Sequence, residues 1–388
     1  LLESGFSYLA VLVAVAGTLK FAEQRWPSRV FEYLPPIVLL YLSVMVLSTL
    51  GVWQKTDSIN SVYAGVKDNL LPAMIFLMLL KSDLRQIRRL GGRMLGGFFA
   101  ASISIGCGFV VSFALLRDLL GSEAWRTLGA LSGSWMGGTG NMVALQQALN
   151  VEDSMMGYAL LIDSIDYALW VAILLALVPL AQRFNQWTGA TTEQLDAIGA
   201  RLDKEDAADE SGPSTTALLF LLGLGLLLSS LSQFIAEVLP TTAFITTTSW
   251  TVIVVTAFGI VGALTPLGKM VGSVQLSSLM LYVIVALVGS RADLAELAQA
   301  PLYIFAGLII LLVHGIIMVI VAKLFRLDLF TCGVASLANI GGVASAPILA
   351  AAYSRVLIPI GVLMALLGYV VGTAGGLIVA RILALIAG

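Results

Sequence analysis

Gly129-Ala-Leu-Ser132-Gly-Ser134-Trp-Met-Gly137-Gly138-Thr139-Gly140-Asn141 is the stretch on which the reading of this chain turns. It lies inside an apolar segment, residues 127–149, yet it makes a poor continuous helix, because each interior glycine costs about 1 kcal/mol relative to alanine. Shifted by 204 residues, Gly333-Val-Ala-Ser336-Leu-Ala-Asn339-Ile-Gly341-Gly342-Val-Ala-Ser345 matches it at four of thirteen positions. Pro347 stands five residues after Gly342 and removes an amide donor, so a break is expected there as well. With a short gap, Lys81-Ser-Asp83-Leu lies over Arg291-Ala-Asp293-Leu. Weak symmetry of this kind is what a duplicated membrane fold leaves behind.

Both stretches sit in lipid-like surroundings. Of 388 residues, 59% are hydrophobic and only 11% are charged, where a soluble domain has about 25% charged. Twelve apolar segments follow one another: 4–19, 34–53, 61–80, 94–117, 127–149, 154–182, 214–236, 245–264, 273–289, 301–322, 329–353 and 356–386. Runs of about 18 or more apolar residues span the hydrocarbon layer as helices. The class is therefore an all-α integral membrane protein, expected as a multi-pass protein of the cell's inner (plasma) membrane with the lipid bilayer as its partner. A soluble enzyme, a nucleic-acid reader and a disulfide scaffold are excluded, and a net charge of −2 asks for no polyanion. Cys107 and Cys332, in apolar surroundings, read as small hydrophobes. The first segment lacks a basic leader and a cleavage site, so it reads as a membrane helix rather than a signal peptide.

The one long polar interruption divides the chain into an N-terminal transmembrane repeat (1–182), a cytoplasmic polar linker (183–213) and a C-terminal transmembrane repeat (214–388). If segments 5 and 11 dip in and return, each half has five crossings and the halves are inverted. Taking Lys81, Arg85, Arg88, Arg89 and Arg93 as cytoplasmic, fifteen of the 21 basic residues then lie inside, against ten if every segment crosses. Among them are Lys20, Arg25, Arg29, Arg201, Lys204, Lys269, Lys323, Arg326 and Arg355. The bias of Lys and Arg toward the cytoplasm favours two inverted repeats of about five helices, each with a Gly-broken re-entrant helix.

A broken helix at membrane depth exposes N–H and C=O groups, tolerable only beside protein or a water-filled cavity. Half-helix N-termini favour carboxylates, and freed carbonyls favour Na⁺. The expected substrate site is Gly137, Gly138, Thr139, Gly140, Asn141, Asn339, Gly341, Gly342 and Ser345, with a small-molecule solute between the two breaks. Asp163 and Asp166 are three apart in an otherwise uncharged apolar segment and share a helix face. Carboxylates are costly at that depth unless paired, protonated or metal-bound. They are the expected ion-coupling pair, for Na⁺ or H⁺, with Ser134 and Ser164 beside them. No organic cofactor is expected, since the chain has no Walker phosphate loop, no HExxH and no CxxC motif.

With its Gly137-Gly-Thr-Gly-Asn141 and Asn339-Ile-Gly-Gly-Val-Ala-Ser-Ala-Pro347 segments and Asp163-Ser-Ile-Asp166, the chain resembles over nearly its whole length the YjcL-like membrane family, domain of unknown function 819. In architecture it is distantly similar to the glutamate:sodium and 2-hydroxycarboxylate symporters of the cation:proton antiporter/anion transporter superfamily. That resemblance implies a scaffold of outer helices, a homodimer, and a mobile core of broken segments tipped by Gly137, Gly138, Gly341 and Gly342. Thr139 stands where the glutamate carriers have a histidine, so the substrate does not carry over.

The expected function is secondary active transport rather than enzymatic: Na⁺-coupled symport of a carboxylate-bearing solute such as an amino acid, short peptide or organic acid, by alternating access. A Na⁺/H⁺ antiporter and a passive channel are the rivals. A remote one is an intramembrane hydrolase built on His314, the one histidine, with Ser132 or Ser134.

Overall fold

The computed structural model describes residues 2–26, 36–54, 56–191, 212–242, 245–292 and 300–388. Arg29, Arg201, Lys204, Asp293 and most of the polar linker fall outside the described residues. Among the described residues the regular structure is all helix, apart from one isolated bridge between Leu2 and Trp53, with turns and short loops between the helices. The helices are α1 (Gly5–Arg25), α2 (Pro36–Thr49), α3 (Asp57–Leu79), α4 (Gly91–Leu120), α5 (Ala124–Gly137), α6 (Thr139–Ala148), α7 (Met156–Leu177) and α8 (Ala181–Thr188). After the linker come α9 (Thr215–Glu237), α10 (Thr247–Ala263), α11 (Ser273–Gly289), α12 (Ala300–Phe325), α13 (Leu329–Ile340), α14 (Gly342–Tyr353) and α15 (Ile358–Ala387). Among the described residues, seven helical stretches are long and apolar enough to cross a membrane. Leucines such as Leu312 (63% exposed) and Leu227 (64%) face outward from them, as helices bathed in hydrocarbon require. The protein is an all-α integral membrane protein.

The helices pack in two groups. In the first, α3 is the hub, touching α1, α9, α10 and α11, while α2 lies against α1 and α11. In the second, α15 packs on α5, α13, α14 and α4, and α12 packs on α4 and α7. Each group draws helices from both sides of the linker. The second half of α3 is buried on every side from Leu71 to Leu79, because the second group covers the face that its own group leaves open. An apolar surface all round a helix is the mark of that position.

The two glycine-rich segments are antiparallel helical hairpins. In the first, Leu149 lies against Gly129 and Leu145 against Gly133, and Arg126 Nη1 donates to the Leu149 carbonyl at 2.7 Å, closing the base. In the second, Leu349 lies against Gly333, and the Phe330 and Tyr353 rings meet edge to face, 5.3 Å apart, at the base. At 1.5 Å per residue, arms of 10–14 residues reach roughly 15–21 Å, short of the roughly 30 Å hydrocarbon layer. The second break falls at Gly341, not at Pro347. That proline stays inside α14, whose next helix, α15, brings Gly361 up against the Ala346–Pro347 backbone.

Glycines of α15 seat both hairpins. Gly376 lies against Gly133, and a Cβ on Gly372 would come within 2.7 Å of Gly137 Cα. Gly368 faces the carbonyls of both Met136 and Ala338, and Gly361 faces Ala346. Travelling along α15 from Gly376 to Gly361, one passes the first hairpin from arm to tip, then the second from tip to arm. The hairpins point at each other.

Candidate functional site

Each tip is made by a backbone turn that its glycine permits. Gly138 has φ 87° and ψ 168°, a region open essentially to glycine, and its amide donates to the Ser134 carbonyl at 2.5 Å, ending α5. The next residue opens α6 in the reverse direction. In the second hairpin the Gly341 amide caps α13 through the Leu337 carbonyl at 2.8 Å, and α14 opens at Gly342. The first amides of α6 and α14 have no preceding helical carbonyl to bond, so each tip offers uncommitted N–H groups at the positive end of a helix.

Both tips border one cavity of about 370 Å³. Ser134, Gly138, Thr139 and Gly140 line it from the first hairpin, and Ile340 to Ala344 from the second. Asp163, Ser164 and Tyr167 of α7 and Tyr369 of α15 complete the wall on that group. The first group closes the other side with Met74 and Met78 of α3, Ile37 and Val38 of α2, and Ser277, Ser278, Leu281 and Tyr282 of α11. Asp163 Oδ1 accepts hydrogen bonds from Ser134 Oγ at 2.9 Å and from Trp135 Nε1 at 3.1 Å. Both donors reach the same oxygen, and they fix the carboxyl at the junction of α7 with the first tip. The Ser164 hydroxyl, buried beside it, has no hydrogen-bond partner. Asp163 is the one acidic or basic side chain among the described residues of the lining. A cation there would have a carboxylate, hydroxyls and tip carbonyls around it. An anion would be met by helix N-termini alone.

Eight of the expected site residues therefore meet at the cavity: Gly138, Thr139, Gly140, Gly341, Gly342, Ser134, Asp163 and Ser164. Five do not. Gly137 is buried against Gly368 and Gly372, where it permits close helix contact rather than ligand contact. Asn141 donates to the Gly137 carbonyl at 2.6 Å and accepts from Thr373 Oγ1 at 2.7 Å, tying the first tip to α15. Asn339 accepts from Ser102 Oγ at 2.7 Å and donates to the Ala335 carbonyl at 2.9 Å, tying the second tip to α4. Ser345 is buried against Gly341, behind the tip. Asp166 is turned away from the cavity and packs on Gly307 of α12, both its oxygens buried without a hydrogen-bond donor. The expected aspartate pair is thus divided between two environments.

Trp135 was missed as a ligand of Asp163, though a tryptophan within a run of small residues signals an indole N–H that needs a partner when buried. Tyr369 gave no signal of its own, whereas Tyr167 stands one residue after Asp166 and was open to reading as a partner of the aspartates. His314 takes no part in the cavity: its Nδ1 pairs with Ser104 Oγ at 2.6 Å and its Nε2 with Ser336 Oγ at 2.7 Å, stitching α12 to α4 and α13. Ser132 donates instead to the Gly129 carbonyl and Ser134 to Asp163, so neither serine is bonded to the histidine.

A family model described as a protein of unknown function, DUF819, matches residues 10–386. The chain belongs to the DUF819 family. Among curated proteins it is 25% identical over 389 residues to an uncharacterized membrane protein, YjcL, of Bacillus subtilis (strain 168), covering 96% of this chain and 94% of that one. An alignment of that span takes in both hairpins and α7, so the cavity belongs to the shared DUF819 region.

Proposed function

We propose that this protein is a secondary active transporter of the plasma membrane that couples Na⁺ entry to import of a small carboxylate-bearing solute. The two halves, 1–182 and 214–388, act as inverted repeats joined by a cytoplasmic linker, and the cavity is exposed to each side in turn. One observation supports this above the rest: two helix breaks pointing at each other meet at a single cavity that also holds Asp163. Paired N-termini suit a carboxylate, and Asp163 with the tip carbonyls suits Na⁺. The coupling follows from their closeness, since a cation beside Asp163 adds positive charge where the anion must sit.

Thermal unfolding of the purified protein in NaCl and in choline chloride tests the cation half. Ligand at a hundredfold excess over its dissociation constant adds about 2.7 kcal/mol to the folded state. Na⁺ is expected to raise the Tm of the wild type and not that of Asp163→Asn. Glutamate, citrate or a dipeptide added with Na⁺ should raise it further. A full Na⁺ response in Asp163→Asn would overturn the assignment. A Na⁺/H⁺ antiporter is the second reading, favoured by the single carboxylate of the lining. Proteoliposomes holding a pH dye decide for it if Na⁺ alone, without solute, drives proton movement.

A further inference from the structure

On the far side of the first hairpin from its tip, Asp153 joins the two helix groups. It lies in the connection from α6 to α7, and so moves with the second group. Its Oδ1 accepts from Lys67 Nζ at 2.8 Å and from Gln146 Nε2 at 2.6 Å, and its Oδ2 accepts from the Tyr63 hydroxyl. Its carbonyl accepts from the Tyr41 hydroxyl at 3.1 Å. Lys67 also donates to Tyr63 Oη at 2.9 Å, and the Arg291 guanidinium lies over the Tyr63 ring, 4.3 Å from its centre. Lys67, Tyr63 and Tyr41 belong to the first group. The Lys67 and Asp153 side chains are only 13% and 18% exposed, so this ion pair is shielded, unlike a surface pair.

The position of this cluster along α3 gives it meaning. The hairpin arm α6 runs antiparallel to α3, with Gly140 at its tip against Met78 and Gln147 bonded to Asp68 at 2.9 Å. Met78 and Lys67 are eleven residues apart, roughly 16 Å along the helix. The cavity is therefore level with the Leu79 end of α3, where Lys81 follows, while Asp153 fastens the base of the hairpin to the middle of the same helix. A cavity exposed at the Leu79 end cannot be exposed at the Asp57 end until the second group shifts relative to α3. The first-group contacts to Asp153 stand directly in the way of such a shift.

We propose that Asp153, gripped by Lys67 and Tyr63, is the latch that keeps the cavity closed toward the Asp57 end of α3, and that its release is required for opening on that side. This rests on the alternating-access reading above. Asp153→Asn and Lys67→Met each remove one charge of the pair and leave the cavity lining untouched. In a background with both native cysteines replaced by serine, Val343→Cys on the cavity wall reports access to membrane-impermeant maleimide in oriented proteoliposomes. Each latch variant is expected to raise labelling from the Glu152 side roughly tenfold, the population shift that losing one charge-assisted bond brings. Exchanging the charges, with Asp153→Lys and Lys67→Asp together, is expected to restore the slow rate. Unchanged labelling in both single variants, while Na⁺ with glutamate changes it in the parent, overturns the latch alone. A Val343→Cys reporter unreactive from that side in every variant and condition overturns the latch and alternating access together.

Discussion

At the residue scale, the site depends on backbone conformations as much as on side chains. Gly138 holds φ 87° and ψ 168°, where a Cβ is strained by about 1–3 kcal/mol. Gly138→Ala is therefore expected to lower the thermal stability of the detergent-solubilised protein by that amount. Gly17→Ala in α1, with nothing within 4 Å of the added methyl, should leave it unchanged or slightly raised. Equal effects in the two variants would remove the tip turn from the account. The residue level was legible in part. Glycine pairs announced the two breaks, but a glycine that bends the chain and one that admits a neighbouring helix look alike in sequence, so Gly137 was read as a tip residue. The aspartates illustrate a finer limit. Three residues turn a helix through about 300°, leaving the two carboxylates about 60° apart. That is enough to send Asp163 to the tips and Asp166 to Gly307.

At the element scale, hydropathy located the long apolar helices to within a few positions, save that α1 runs on to Arg25, and residues 273–289 matched α11 at both ends; α8 (Ala181–Thr188) forms where polar linker was expected. It also showed that segments 5 and 11 differ from the rest, but not which polar side chains in them face inward. Asn141 and Asn339 satisfy their amides on α15 and α4 because a buried amide left without partners is costly. Those partners, Thr373 and Ser102, lie 232 and 237 residues away along the chain. No local pattern announces a bond of that range. Thr373→Val keeps the shape and deletes the donor to Asn141 Oδ1, leaving a buried acceptor unpaired. A loss of about 1–3 kcal/mol in thermal unfolding is expected, with the Na⁺ response retained. Were Asn141 a ligand of the cargo or the ion, the reverse would be measured: stability unchanged and the response altered.

At the scale of the whole molecule, the distribution of Lys and Arg counts charges at segment ends and ignores how helices pair. It favoured segments that return to the side they enter, and the Arg126–Leu149 bond with the Phe330–Tyr353 contact places both ends of each hairpin together. The sorting of helices into two groups was out of reach, because it depends on contacts between distant segments. Arms of 10–14 residues are too short to cross, and the tips face each other along α15; under the proposed inverted topology the two bases open at opposite faces. Single cysteines at Glu123 and Glu152 flank the first hairpin, and at Phe325 and Ser354 the second. In oriented vesicles, an impermeant maleimide is expected to reach the first pair from one compartment and the second pair from the other. If positions 123 and 152 reacted from different compartments, the first hairpin would be a crossing, and its tip could not meet the second at Asp163. If all four reacted from one compartment, both hairpins would enter the bilayer from the same face, and a single cavity between opposed tips would be impossible.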